Sequence, residues 1–154
     1  MDGKQQKLVV RELEERDIPL IDTYWRSLTQ DDLNRMSIDC DRIPASDEFR
    51  ARLTKLLDTP LSDRASDPLV WEVDGTAVGF TNLNNISRGN QADIHLHMFD
   101  SKFRGKGLGR RLFVRCVQKY FQRHHLTKII CQPASTNPGP TGLMRALRIP
   151  VSRT

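Results

Sequence analysis

Apolar residues along this chain change their period twice, and each change marks a different kind of element. Residues 7–13 read as a first strand with Leu8, Val9 and Val10 at its apolar centre. Asp17 stands where an N-cap is needed for a helix that carries Pro19 in its tolerated first turn. Ile18, Ile21, Trp25 and Leu28 then recur at three- and four-residue spacing, which gives that helix one buried face. A short helical segment over residues 30–36 follows. After it comes a helix capped by Ser46, with Phe49, Leu53, Leu56 and Leu57 as its apolar stripe.

The middle of the chain alternates instead. Residues 69–73 and 76–84 read as strands joined by Asp74-Gly75, a tight two-residue hairpin turn. Residues 85–90 read as a loop and 92–99 as a further strand. A glycine-rich run leads into the strongest amphipathic helix, from Leu108 to about His124. Its inner face is Leu112, Phe113, Cys116, Val117, Tyr120 and Phe121; its outer face is Arg110, Arg111, Arg115, Lys119 and Arg123. Residues 128–131 form a short buried strand, and residues 138–147 suggest a last helix with Pro140 near its start. The order predicts an α/β protein of the α+β type, with a mixed, mainly antiparallel sheet flanked by helices.

Composition narrows this picture. At 154 residues and 17.7 kDa the chain reads as a single domain spanning residues 1–154. No apolar run approaches the roughly 20 residues of a membrane helix, and the first residues are polar, which implies a cytoplasmic protein without a membrane partner. Cys40, Cys116 and Cys131 are far apart and form no CxxC pair, so reduced free thiols are expected and zinc is not. The formal net charge of +5 points to an anionic ligand. With only 6% aromatic residues, the chain lacks the basic and aromatic interleaving of nucleic-acid binding.

The candidate chemistry lies in Arg104-Gly105-Lys106-Gly107-Leu108-Gly109. A strand ends, glycines let backbone N–H groups converge, and a helix N-terminus adds free donors and its positive dipole end. Arg104, Lys106, Arg110 and Arg111 add charge around that cradle. This describes a pyrophosphate site. A dinucleotide fold would need a final glycine where Arg110 stands, and a P-loop would need GxxxxGK[ST], which is absent.

The run resembles the Arg/Gln-x-x-Gly-x-Gly/Ala motif of the Gcn5-related N-acetyltransferase (GNAT) superfamily, matched by Arg104, Gly107 and Gly109. The element order resembles that family over nearly the whole chain. The resemblance implies bound acetyl-CoA, its pyrophosphate held by the loop from Arg104 through Gly105, Lys106, Gly107, Leu108 and Gly109 to Arg110. It also implies that the pantetheine arm pairs with the strand end at Met98 and Phe99, and that this strand splays from the next one to admit the thioester. Asn137 is expected to contact the pantetheine. Acetyl transfer to a primary amine of a small molecule or peptide would be direct, without an acyl-enzyme, leaving Cys116 and Cys131 to packing.

Alternation places Asp93, His95 and His97 on one face of their strand, where an imidazole or carboxylate could take the proton of the incoming amine. Asp93 aligns with the general-base glutamate of the histone-modifying members, one methylene shorter. Such an array spreads its side chains over about 13 Å, too far to share one metal ion. Met144 stands where many members carry the tyrosine that protonates the departing thiolate, so water or another residue, such as Tyr120, would have to serve. Arg148-Ile149 replaces the usual Gly-Phe, and the last two strands of the family domain are expected to be short or missing. The sheet edge so exposed could be covered by a second copy in a homodimer. Tyr24, Trp25, Asp31, Asp32, Asp39 and Asp41, with the 85–90 loop, mark the substrate region, and their carboxylates suit a cationic amine. The altered C-terminal segment supports a second reading, a catalytically degenerate acyl-CoA-binding or sensor protein.

Overall fold

The computed structural model describes residues 6–99 and 107–131. Arg104, Gly105, Lys106, Asn137, Met144, the 138–147 helix and the C-terminal strand positions lie outside those residues. The described elements are β1 (Leu8–Glu12), α1 (Ile18–Ser27), α2 (Gln30–Met36), α3 (Ser46–Leu57), β2 (Asp67–Val73), β3 (Thr76–Ser87), β4 (Gln91–Met98), α4 (Leu108–His124) and β5 (Lys128–Ile130). They form one five-stranded sheet in chain order, antiparallel from β1 to β4 and parallel between β4 and β5. The parallel step requires a crossover, which α4 provides.

The two faces of the sheet carry separate cores. Against α4, Leu69, Trp71, Val78, Leu83 and Ile94 pack with Leu112, Phe113, Cys116 and Tyr120. Against α1 and α3, Val70 and Phe80 pack with Leu13 and Ile21, joined by Trp25, Phe49 and Leu53. The alternation seen in the sequence is thus a division between two layers. The Asp74-Gly75 turn has positive φ at both residues, 50° and 83°, as a tight two-residue hairpin turn demands.

Three local expectations are corrected. Asp17 does not cap α1; it ends a 3-10 turn over Glu15–Asp17 and accepts a hydrogen bond from the Glu14 N–H at 2.8 Å. Its buried carboxylate is also held by both Arg11 guanidinium nitrogens, at 2.7 and 2.8 Å, and that ion pair outcompetes the capping role. Ser46 likewise makes no cap. It is the first residue of α3, and its hydroxyl donates to Asp22 at 2.5 Å. Arg26 and Arg50 bind the same buried Asp22 at 3.1 and 2.8 Å, so a single carboxylate ties α1 to α3.

The third correction concerns residues 85–87, which continue β3 rather than opening a loop. Asn85 adopts φ 51°, and the register steps from Asn84↔Asp93 to Ser87↔Gln91, leaving one extra residue on β3. Asparagine tolerates this left-handed conformation, so the strand bulges and continues where its polarity suggests an end.

A second bulge lies on β3 opposite β2, where Trp71 pairs with Gly79 and Glu72 with Ala77. A Cβ at Gly79 would stand 2.3 Å from the His97 carbonyl oxygen and 3.2 Å from the Met98 Cα. Glycine is therefore needed here for β4 to approach, and it sets the position of the β4 end. Among the described residues no helix is long and apolar enough to cross a membrane.

Candidate active site

The α1/α3 face of the sheet does not close completely. A cavity of about 610 Å³ opens between it and the helices. Its floor follows from register: Phe80 faces His97 and Asn82 faces His95 across β3 and β4, so alternate residues of both strands point the same way. Asn84, opposite Asp93, continues the row. Ser66 donates to the Asn82 and Asn84 side-chain oxygens at 2.9 and 3.2 Å, and the Asn82 amide donates to Asn84 at 2.9 Å. The wall is Ile21 and Trp25 of α1, Met36 at the end of α2, Ile38, Ile43 and Pro44 after it, and Phe49 and Leu53 of α3.

The three strand candidates share a face but not an environment. Asp93 does not line the cavity; its carboxylate accepts a hydrogen bond from the Asn85 amide at 2.9 Å. His97 lines it but is enclosed by aromatic rings. Phe80 stacks on it at 4.9 Å, Trp25 meets it edge-on at 4.9 Å, and the Tyr24 hydroxyl shares a hydrogen bond with its Nδ1 at 3.0 Å. Burial in this shell, with a smaller contribution from the neighbouring His95, pushes the His97 pKa down to about 3. His95 lines the cavity and is open to it. Protein around its ring lowers its pKa below the usual 6.5, while the charge of Asp93 acts in the opposite direction.

Among the described residues, pairing of β4 with β5 runs from Gln91↔Lys128 to Asp93↔Ile130, and β4 itself continues to Met98. Ile94, Leu96 and Cys131, just beyond those pairs, line the cavity. Met98 packs on the α4 core, and the Phe99 N–H bonds the Val78 carbonyl at 2.9 Å, so the side of β4 facing β3 is occupied.

Of the glycine run, Gly107, Leu108, Gly109 and Arg110 are described. Gly107 has φ 75° and immediately precedes α4, whose first turn has no side-chain cap and no acidic residue. Leu108 is buried against the core and anchors the turn. A Cβ at Gly107 or Gly109 would meet no atom of the described residues within 4 Å. N–H donors that no described side chain caps, at the N-terminus of a long helix, suit a phosphate group.

Two expectations fail here. Tyr120 cannot reach the cavity: it is fully buried in the opposite core, and its hydroxyl donates to the Asp67 carbonyl at 2.7 Å. Asp31, Asp32, Asp39 and Asp41 do not line the cavity either, and Asp32 is engaged by the Thr29 backbone and by Arg35. Sequence reading missed Phe80, Asn82 and Asn84. The signal was two asparagines at alternate positions inside an otherwise apolar strand.

A family model described as the acetyltransferase (GNAT) family matches residues 25–147. No curated protein matches the sequence. Among solved structures, a spermidine N-acetyltransferase from Vibrio cholerae in complex with CoA and spermine is 24% identical, with a TM-score of 0.68, covering 90% of this chain and 78% of its own. A dodecameric structure of that enzyme is 23% identical, with a TM-score of 0.69 over 90% of this chain and 77% of its own. RimL, a ribosomal-protein α-N-acetyltransferase in complex with coenzyme A, is 16% identical, with a TM-score of 0.70 over 90% of this chain and 77% of its own. At these identities the likeness establishes the fold.

Proposed function

The chain belongs to the acetyltransferase (GNAT) family, whose acetyl donor is acetyl-CoA, and on that premise we propose direct acetyl transfer to a primary amine of a small molecule or peptide in the cytoplasm. The observation that carries this reading is the junction of two features: an α4 N-terminus that no described side chain caps, and a cavity floored by His95. The donor supplies a thioester, whose C–S bond breaks as the new N–C bond forms.

The chain's own residues divide the remaining work. N–H groups of Gly107, Leu108, Gly109 and Arg110 bind the pyrophosphate, extended by Arg104, Gly105 and Lys106 of the same run. Met98 and Phe99 offer the strand end to the pantetheine arm, and Asn137 is assigned to that arm from the family pattern. His95 takes the proton of the incoming ammonium, because it is open to the cavity and its lowered pKa keeps it unprotonated at neutral pH. His97, held neutral by Tyr24 and the rings around it, shapes the floor beside the base. Asp93 lies behind His95 and biases its charge. Pairing of two copies along a sheet edge is part of the same proposal.

Isothermal titration with acetyl-CoA, followed by thiol-release kinetics over an amine panel, tests the reading. Binding followed by amine-dependent thiol release is the expected result. Binding without release on any amine would instead identify a degenerate acyl-CoA sensor.

A further inference from the structure

We propose that the acceptor is an apolar amine bearing one carboxylate, of the kind presented by a hydrophobic amino acid, and not a polycation. The inference rests on the acetyl-transfer reading above and concerns only the acceptor. No carboxylate lines the cavity among the described residues. Two carboxylates on the surrounding elements are already engaged: Asp22 by Ser46, Arg26 and Arg50, and Asp93 by Asn85. A second or third ammonium group would leave water with no counter-ion waiting for it.

Residues 132–154 contain Arg145, Arg148 and Arg153 and no aspartate or glutamate, and residues 100–106 set one aspartate against Lys102, Arg104 and Lys106. Among the described residues Arg42 is the one lysine or arginine that lines the cavity, and it forms no ion pair there. It follows Asp39 and Asp41, and neither carboxylate bridges to it among the described residues; Asp39 accepts the Asp41 N–H at 3.0 Å. Beside Arg42 the wall is aliphatic and aromatic: Met36, Ile38, Ile43, Phe49 and Trp25. A guanidinium next to an apolar wall, facing a neutral polar floor with an imidazole, matches a molecule with one anion, one apolar body and one amine.

The test compares phenylalanine, phenylalaninamide, phenethylamine and spermidine as acceptors in thiol-release assays with acetyl-CoA. Phenylalanine should exceed spermidine at least tenfold in kcat/KM. Arg42→Ala should lower kcat/KM for phenylalanine about tenfold through KM while changing phenylalaninamide less than threefold. The isosteric Asn84→Asp keeps the Oδ1 that accepts from Ser66 and Asn82 and adds a charge to the floor. It should raise the spermidine value and depress that of phenylalanine. Preference for spermidine in the unaltered protein, or an equal loss on all acceptors in Arg42→Ala, overturns the acceptor assignment and leaves acetyl transfer standing. No thiol release with any acceptor overturns both.

Discussion

Two histidines, two positions apart on one strand face, acquire opposite characters from their neighbours. His97 sits against Phe80, Trp25 and Tyr24, and its pKa of about 3 keeps it neutral throughout the working range. His95 faces the cavity, and its lowered pKa places the acidic limb of kcat/KM below pH 6.5. His95→Ala should lower kcat by about 10²–10⁴-fold and remove that limb in a pH–rate profile. Retention of the limb would reassign the base. For stability, the unfolded chain protonates His97 near pH 6.5 and the folded chain only near pH 3, so the unfolded state binds more protons between those values. Stability contributed by this residue therefore falls as pH drops from 6.5 towards 3. His97→Phe should make the urea midpoint less steeply dependent on pH over that window. Nothing in the sequence separates the two histidines. Alternation places both on one face, and only the register that sets Phe80 opposite His97 and Asn82 opposite His95 distinguishes them. The thiols are simpler: burial pushes Cys116 and Cys131 up to about 11, so Cys131→Ser should retain turnover, in keeping with direct transfer.

Elements position these residues, and two glycines do so for different reasons. Gly79 is a matter of distance, because an added Cβ would strike the His97 carbonyl. Gly79→Ala should cost about 1–3 kcal/mol and displace the β4 end, read by urea denaturation together with a rise in KM for acetyl-CoA. Gly109 lies in the first turn of α4, where an added Cβ would meet no atom of the described residues within 4 Å. Gly109→Val should leave the folded protein intact and weaken acetyl-CoA binding at least tenfold in calorimetry. Equal affinity would remove the loop from the site. The four described helices, and the start of α4 right after Gly107, were legible because their signals are local: a three- to four-residue period, and a turn between strand and helix. The asparagine bulge at Asn85 and the close approach at Gly79 were not legible, since each depends on the strand opposite. Asp17 and Ser46 show the same limit. Both read as caps, and both are claimed by partners whose positions only the fold sets, Arg11 in one case and Asp22 in the other.

At the scale of the whole molecule, one buried carboxylate fastens the α4 layer to the sheet. Asp67 is fully buried and bound by Arg123 at 2.8 and 3.0 Å, by His124 at 2.7 Å and by Arg64 at 3.3 Å. Asp67→Ala would strand these donors and should cost about 3–5 kcal/mol, measured by urea denaturation. The chain-order sheet also carries a consequence in time. Strands β2, β3 and β4 are joined by short turns and close small loops, so they can pair early. β1 must wait for the entire helical segment to return before Leu8 meets Val73, and β5 can align with β4 only after α4 has crossed. Substitutions at the Asp74-Gly75 turn should therefore slow refolding, whereas truncations at Leu112 or Phe113 should mainly speed unfolding in stopped-flow experiments. On this order the meander that carries His95 is the folding nucleus. The β4–β5 pairing, which waits for α4 to cross, is the last part to assemble.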